Sequence, residues 1–239
     1  MDKPSYQLTP LGDQAIMVQM ADRIDPHENQ RLQAIARLVL GPEILGVVPA
    51  YSTLTVNFDA QQTTMPKMME RLEQVIQQSL QMELPAAKTC LIPVVYGEEF
   101  GPDLNDVAEF AQTSPAEVIK RHTEKDYLIY FLGFLPGFAY MGSVDQTIAM
   151  PRLATPRLSI PAGSIGIAGQ QTGFYPVESP GGWRLIGRTP LNLYDPQSPQ
   201  SFYQAGDYVR FVPVNQREFE QIQRAVDRHQ YQVEVIDHA

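Results

Sequence analysis

Six side chains in one stretch of this sequence are of the types that hold a small anion or amide. Arg152 and Arg157 stand five residues apart in PRLATPRLSIPAGS, Gln170, Gln171 and Thr172 stand between glycines in GQQTGFYP, and Arg188 lies in GRTP. A guanidinium is a planar fork of donors that matches a carboxylate or phosphate on two prongs. Exposed arginines are usually only solvated, but the prolines and glycines around these form corners that would hold a guanidinium in place. The amides and hydroxyl of the glutamine turn suit a small amide ligand, and they serve equally to satisfy the loop's own backbone. Upstream, Phe131, Phe134, Phe138 and Tyr140 surround Leu135-Pro136-Gly137-Phe138, where Pro and then Gly take the central positions of a type II turn. Two readings stand for this loop. Its aromatics fill a buried hairpin, or Phe134, Pro136, Phe138 and Tyr140 form an apolar lip that meets a partner or closes over a ligand. Trp183, the only tryptophan, follows the turn SPGG and is either core or a stacking wall.

The elements that position these residues are short. Ile129 to Pro190 holds ten of the sixteen glycines and seven of the twenty prolines, a density that marks successive tight corners. Between the corners, Ile165–Ala168, Gly173–Tyr175 and Trp183–Ile186 have the length of small strands. The charges of the stretch are Asp145, Glu178 and four arginines, so it is net positive within a chain of net charge −9. This predicts a small, strongly turned β-barrel carrying a site for an anionic group.

The preceding chain reads differently. Asp13–Met20 alternates as a strand, and Asp25-Pro26 with Glu28 opens a helix with Leu32, Ile35, Ala36 and Val39 on one face. Strands Ile44–Ala50 and Ser52–Phe58 follow, then a helix from about Pro66 to Gln81 whose apolar stripe includes Met68 and Met69, and an apolar run Thr89–Tyr96. The order strand, helix, strand, strand, helix, strand is that of a ferredoxin-like split βαβ unit. The domains are therefore expected at 1–87, 88–213 and a 214–239 helix–strand extension, with the first boundary at the Leu84-Pro85 break. Within the second, Asp103 caps a short helix, Ser114-Pro115 opens another, and Asp126–Leu132, Leu191–Tyr194 and Tyr208–Val212 read as strands. Asn215 with Glu218 caps a last helix burying Phe219, Ile222 and Val226, and Gln232–Ile236 reads as a strand.

Composition excludes several functions. An isoelectric point near 4.9 argues against non-specific nucleic-acid or anionic-membrane binding. Cys90 stands alone, so no internal disulfide or cysteine-rich zinc site forms. Neither a long apolar run nor a secretory leader is present, which points to a soluble, cytoplasmic protein. No G-x-x-x-x-G-K-[ST] or G-x-S-x-G occurs, and His27, His122, His229 and His238 are scattered. No metal site is indicated, and no catalytic residue can be named.

The motifs FLGFLPGFAYMG and TPRLSIPAGSIGIAGQQTGFYPVESPGGWRLIGRTPL resemble the allophanate hydrolase subunit 1 family. Its members include PxpB, a subunit of ATP-dependent 5-oxoprolinase, and the KipI-type inhibitor of sensor histidine kinases. IPVVYG and GDYVRFVP match more weakly, and the likeness runs from about Tyr6 to Pro213. The resemblance implies an N-terminal ferredoxin-like domain, then a cyclophilin-like β-barrel. It also implies lactam opening of 5-oxo-L-proline to L-glutamate, driven by ATP with Mg2+ and shared with PxpA-like and PxpC-like partners. On that reading Arg157 or Arg152 would meet the substrate carboxylate, Gln170, Gln171 or Thr172 would meet its amide, Arg188 is a further substrate-binding candidate, and the chain is inactive alone. The alternative is a binding protein that blocks kinase autophosphorylation through the aromatic lip.

Overall fold

The computed structural model describes residues 6–20, 23–83, 86–197 and 201–238, and the chain divides into two compact units, residues 1–86 and 87–239. The first contains β1 (Gln7–Pro10), β2 (Ala15–Gln19), α1 (Pro26–Leu38), β3 (Ile44–Pro49), β4 (Thr53–Phe58) and α2 (Met65–Ser79). Alternation puts Ile16, Val18, Leu54, Val56 and Phe58 on one buried face, and they cluster with Leu32 and Ile35 of α1 and Met68, Leu72 and Ile76 of α2. Asp25 starts α1 as its sequence predicts, accepting from the N–H groups of His27 and Glu28. The sheet order is β1-β2-β4-β3, antiparallel throughout. The run Thr89–Tyr96 is not in this sheet. The sheet's fourth strand is instead β1, beside β2, whose four residues ending at Pro10 are too few to show a period. The expected break at Leu84-Pro85 lies outside the described residues.

The second unit contains β5 (Lys88–Tyr96), α3 (Leu104–Phe110), α4 (Pro115–Thr123), β6 (Tyr127–Leu132), β7 (Ala139–Gly142), β8 (Arg157–Ile160), β9 (Ser164–Ala168), β10 (Gln171–Phe174), β11 (Ser179–Gly181), β12 (Arg184–Arg188), β13 (Tyr208–Pro213), α5 (Gln216–Asp227) and β14 (Val235–Asp237). Strands β12-β9-β10-β7-β6-β13-β5 follow one another, and a further β12–β5 pairing closes them into a seven-stranded barrel. With its helices and the separate sheet of the first unit, the protein is an α+β fold. The β5–β13 pair is parallel and the other barrel pairs are antiparallel. Closure removes the exposed strand edges that open sheets must protect. Ile92, Val94, Ile129, Met141, Ile165, Ile167, Phe174 and Phe211 are among the side chains of its buried core. Among the described residues, β8 and β11 pair only with each other, as a small flap.

Several expectations for this unit change, and the strand expected at Gln232–Ile236 is the shorter β14. Leu191–Tyr194 is irregular, although Leu191 and Leu193 are buried; alternate burial imitates a strand where no partner pairs with it. Helix α5 has the expected capping box of Asn215 and Glu218, but Phe219, Ile222 and Val226 are only half-buried. Among the described residues, no helix is long and apolar enough to cross a membrane.

Candidate functional site: an aromatic cup on the barrel

A cup with a volume of about 300 Å³ opens on the second unit, lined by residues that include Phe134, Tyr140, Arg152, Tyr175 and Trp183. Its floor is a second apolar cluster of Phe138, Ile160, Ala168, Tyr175, Trp183 and Leu185. Phe138 meets Tyr175 and Trp183 edge-on, at ring-centroid distances of 5.3 and 5.4 Å, so the rings hold one another in fixed attitudes. Trp183 can lie this close to the sheet because Gly166 and Gly173 carry no side chain. A Cβ on Gly173 would stand 2.7 Å from the Ala139 carbonyl and 3.1 Å from the indole. Trp183 is therefore buried and also forms part of the wall of the cup.

The Pro-Gly turn builds the lip. The Phe138 N–H donates to the Leu135 carbonyl, and Gly137 has φ +80, as a type II turn requires. Just before it, the Leu135 N–H donates back to the Gly133 carbonyl around Phe134, whose φ is +67. A phenylalanine in the left-handed region costs about 1 kcal/mol or more. That strain presents the Phe134 ring to solvent, 62% exposed, while Phe138 turns inward at 1%. The expected partner-contact set thus divides. Phe134 and Pro136 are exposed, Tyr140 is half-buried, and Phe138 is buried in the floor of the cup.

Arg152 stands at the rim. Its loop is fixed on both sides, because the Met150 carbonyl accepts from the Gly169 N–H, the Pro151 carbonyl from Arg184 Nε, and the Leu153 N–H donates to the Gly182 carbonyl. The guanidinium lies 5.7 Å from the Trp183 ring centre and donates to Gln171 Oε1 at 3.2 Å. Among the described residues lining the cup, Arg152 is the one charged group. Burial raises the Tyr140 hydroxyl and pushes that of Tyr175 up to about 12, against the opposing pull of Arg152. Both phenols are neutral donors at pH 7.

The other expected site residues do not converge there. Arg157 does use its fork, but on an internal partner: Nη1 and Nη2 donate to the two oxygens of Asp103 at 2.9 and 2.7 Å. Arg188 Nε donates to the Ala162 carbonyl, at a separate depression beside α5. Gln170 is exposed, and its carbonyl accepts from the Val144 N–H. Thr172 is fully buried. Its hydroxyl donates to the Gly166 carbonyl at 3.0 Å and meets His122 Nε2 at 2.9 Å. Because that hydroxyl's proton goes to Gly166, the His122 proton must sit on Nε2, and Nδ1 accepts from the Tyr96 hydroxyl at 2.9 Å. Burial, with Lys125 adding to it, drives the imidazole down to about 3, so this neutral chain satisfies core groups rather than transferring protons. Residues 6–203 match the family described as carboxyltransferase domain, subdomain C and D. The chain belongs to that family. It is 40% identical over 228 residues to a 5-oxoprolinase subunit of Bacillus subtilis, covering 90% of this chain and 95% of the relative. The solved structure of TTHA0988 is 31% identical with a TM-score of 0.73, covering 84% of this chain; the chain spans 40% of that longer one. The Kluyveromyces lactis urea amidolyase shares the fold at 18% identity and a TM-score of 0.80, covering 98% of this chain and 16% of its own.

Sequence reasoning missed Tyr175 and Pro156 as cup walls and read Asp103 only as a helix cap. No spacing signals Tyr175, because the flap that seats it, β8 with β11, is only three or four residues per strand.

Proposed function

We propose that this chain is the PxpB-like component of an ATP-dependent 5-oxoprolinase, acting with PxpA-like and PxpC-like partners, and that its cup receives 5-oxo-L-proline. The observation that carries the reading is the lone guanidinium of Arg152, held over an aromatic cup with a glutamine amide at its side. The substrate is a small ring with one carboxylate and one lactam amide. The ring packs among Phe134, Tyr140, Tyr175 and Trp183, the carboxylate pairs with Arg152, and the amide meets Gln171, with Gln170 next to it on the same turn. Partner contact falls to the exposed Phe134 and Pro136. The same reading describes the first unit as ferredoxin-like and the barrel as cyclophilin-like.

The cup does not fit a nucleoside triphosphate, since it offers one cation and no phosphate cradle. ATP and its Mg2+ belong to the assembled complex, and no step on this chain is routed through them. What these residues do is bind, orient and keep water from the ring. Lactam opening also needs charge stabilisation on phosphate and a proton donor, which the partners must supply.

The test is reconstitution with all three components. Wild type releases glutamate from 5-oxoproline with ATP, and omission of any one component abolishes it. Arg152→Lys keeps the charge but loses the fork, so KM for 5-oxoproline rises by about 10-fold or more. Unchanged KM, or turnover by this chain alone, overturns the reading. The exposure of Phe134 favours a second reading, the kinase inhibitor. It takes over if the full set is inert and the chain suppresses histidine-kinase autophosphorylation.

A further inference from the structure

The sequence marks Asp103 as the N-cap of α3, yet its side chain makes no capping hydrogen bond. It is 4% exposed and receives three donors: both prongs of Arg157, and the Leu185 N–H at 2.7 Å on Oδ2. The Asp103 N–H in turn donates to the Leu185 carbonyl at 2.9 Å, so the loop before α3 is fastened to β12 in both directions. The loop is seated tightly against that strand, since a Cβ on Gly101 would stand 2.0 Å from the Ile186 carbonyl.

Both ends of this arrangement lead into the cup. Arg157 opens β8 directly after Pro156, and it pairs with Gly181 of β11; Pro156, Pro180 and Gly181 all line the cup. Leu185 follows Trp183 by two residues. One carboxylate therefore ties the flap wall and the tryptophan wall to a common point. A buried ion pair is a poor source of stability, because desolvation offsets most of the attraction. What it supplies here is geometry, since a bidentate pair tolerates one relative orientation of its halves.

We infer that Asp103 and Arg157 are positioning residues, a clamp that sets the distance between the two walls of the cup. Neither touches the ligand. The expected role of Arg157 as a fork is kept, with an internal carboxylate in place of the substrate's.

Trp183 is the only tryptophan, so its fluorescence reports one wall directly. In the isolated chain, well below the melting midpoint, Arg157→Lys and Asp103→Asn should each raise acrylamide quenching of Trp183 by about 2-fold as the walls part. In the reconstituted complex, an arm that rests on the reading of the cup as the 5-oxoproline site, both should raise KM by about 10-fold with kcat nearly kept. Arg157→Lys guards against a fold failure of Asp103→Asn, because it leaves the buried carboxylate a cation. Unchanged quenching in the folded variants overturns the clamp, as does a lowered melting midpoint alone. Changed quenching, with no 5-oxoproline turnover even by wild-type complex, supports the clamp and removes the proposed function instead.

Discussion

Stability of the second unit should fall as the pH is lowered from 7.5 to 5.0, and His122 should be the cause. The imidazole is fully buried, between Tyr96 and Thr172 and stacked 4.7 Å from Phe211. Its folded pKa is depressed to about 3 from 6.5. The folded state therefore stays neutral while the unfolded state takes up a proton below about pH 6.5. Stability from this group is full above the unfolded value and is lost as pH falls toward the folded one. Linkage puts the loss between pH 7.5 and 5.0 at about 2 kcal/mol, which for a unit of this size is a drop of roughly 4–8 °C in Tm. Trp183 reports this unit alone, so melting followed by its fluorescence isolates the transition. His122→Gln removes the titrating group, and subtracting its pH dependence removes the contribution of every other group. Equal drops in wild type and variant would refute the reasoning.

Three further outcomes follow from the packing. Phe138→Ala should cost about 3–5 kcal/mol in urea denaturation followed at Trp183, whereas Phe134→Ala should stay within about 1 kcal/mol; similar costs would return both rings to one role. Asn215→Ala breaks the capping box of α5 and should cost about 1 kcal/mol. Amide exchange in Gln216–Asp227 should show it first, and unchanged protection there counts against the cap. A fragment of residues 86–239 should fold alone, with a cooperative melt and the Trp183 emission of the full chain; a non-cooperative melt would show that the barrel depends on the first unit.

How much of this was legible depended on the range over which each residue acts. Caps are local, so Asp25, Ser114 and Asn215 announced their helices, and each side chain accepts from its helix's first turn. Amphipathic stripes are nearly as local, which is why the faces of α1 and α2 could be read. Strand partners are not local: Thr89–Tyr96 was visible as a strand, but nothing in it states which sheet it joins. The arginines show the same limit more sharply. Spacing said that Arg152 and Arg157 sit at rigid corners, and both are held. It could not say that one faces a cup and the other faces Asp103, because Asp103 is fifty-four residues away in sequence. The place of Thr172 was hidden for a related reason, since a hydroxyl between glycines looks like loop, and its partners, the Gly166 carbonyl and His122, are set only by the fold.

The pairing of β5 has a consequence for how the protein is made. Along one edge it runs parallel to β13 over six residue pairs, and along the other it meets β12 and β14. All of these partners lie downstream, β13 beginning only at Tyr208. At about 5–20 residues per second of synthesis, on the order of 10 s separates β5 from its main partner. Through most of that interval CLIPVVY waits with neither edge paired, and its β13 edge stays open even after β12 has been made, the condition under which strands join the wrong chain. A ribosome that stalls before Pro213 leaves that edge open for as long as the stall lasts.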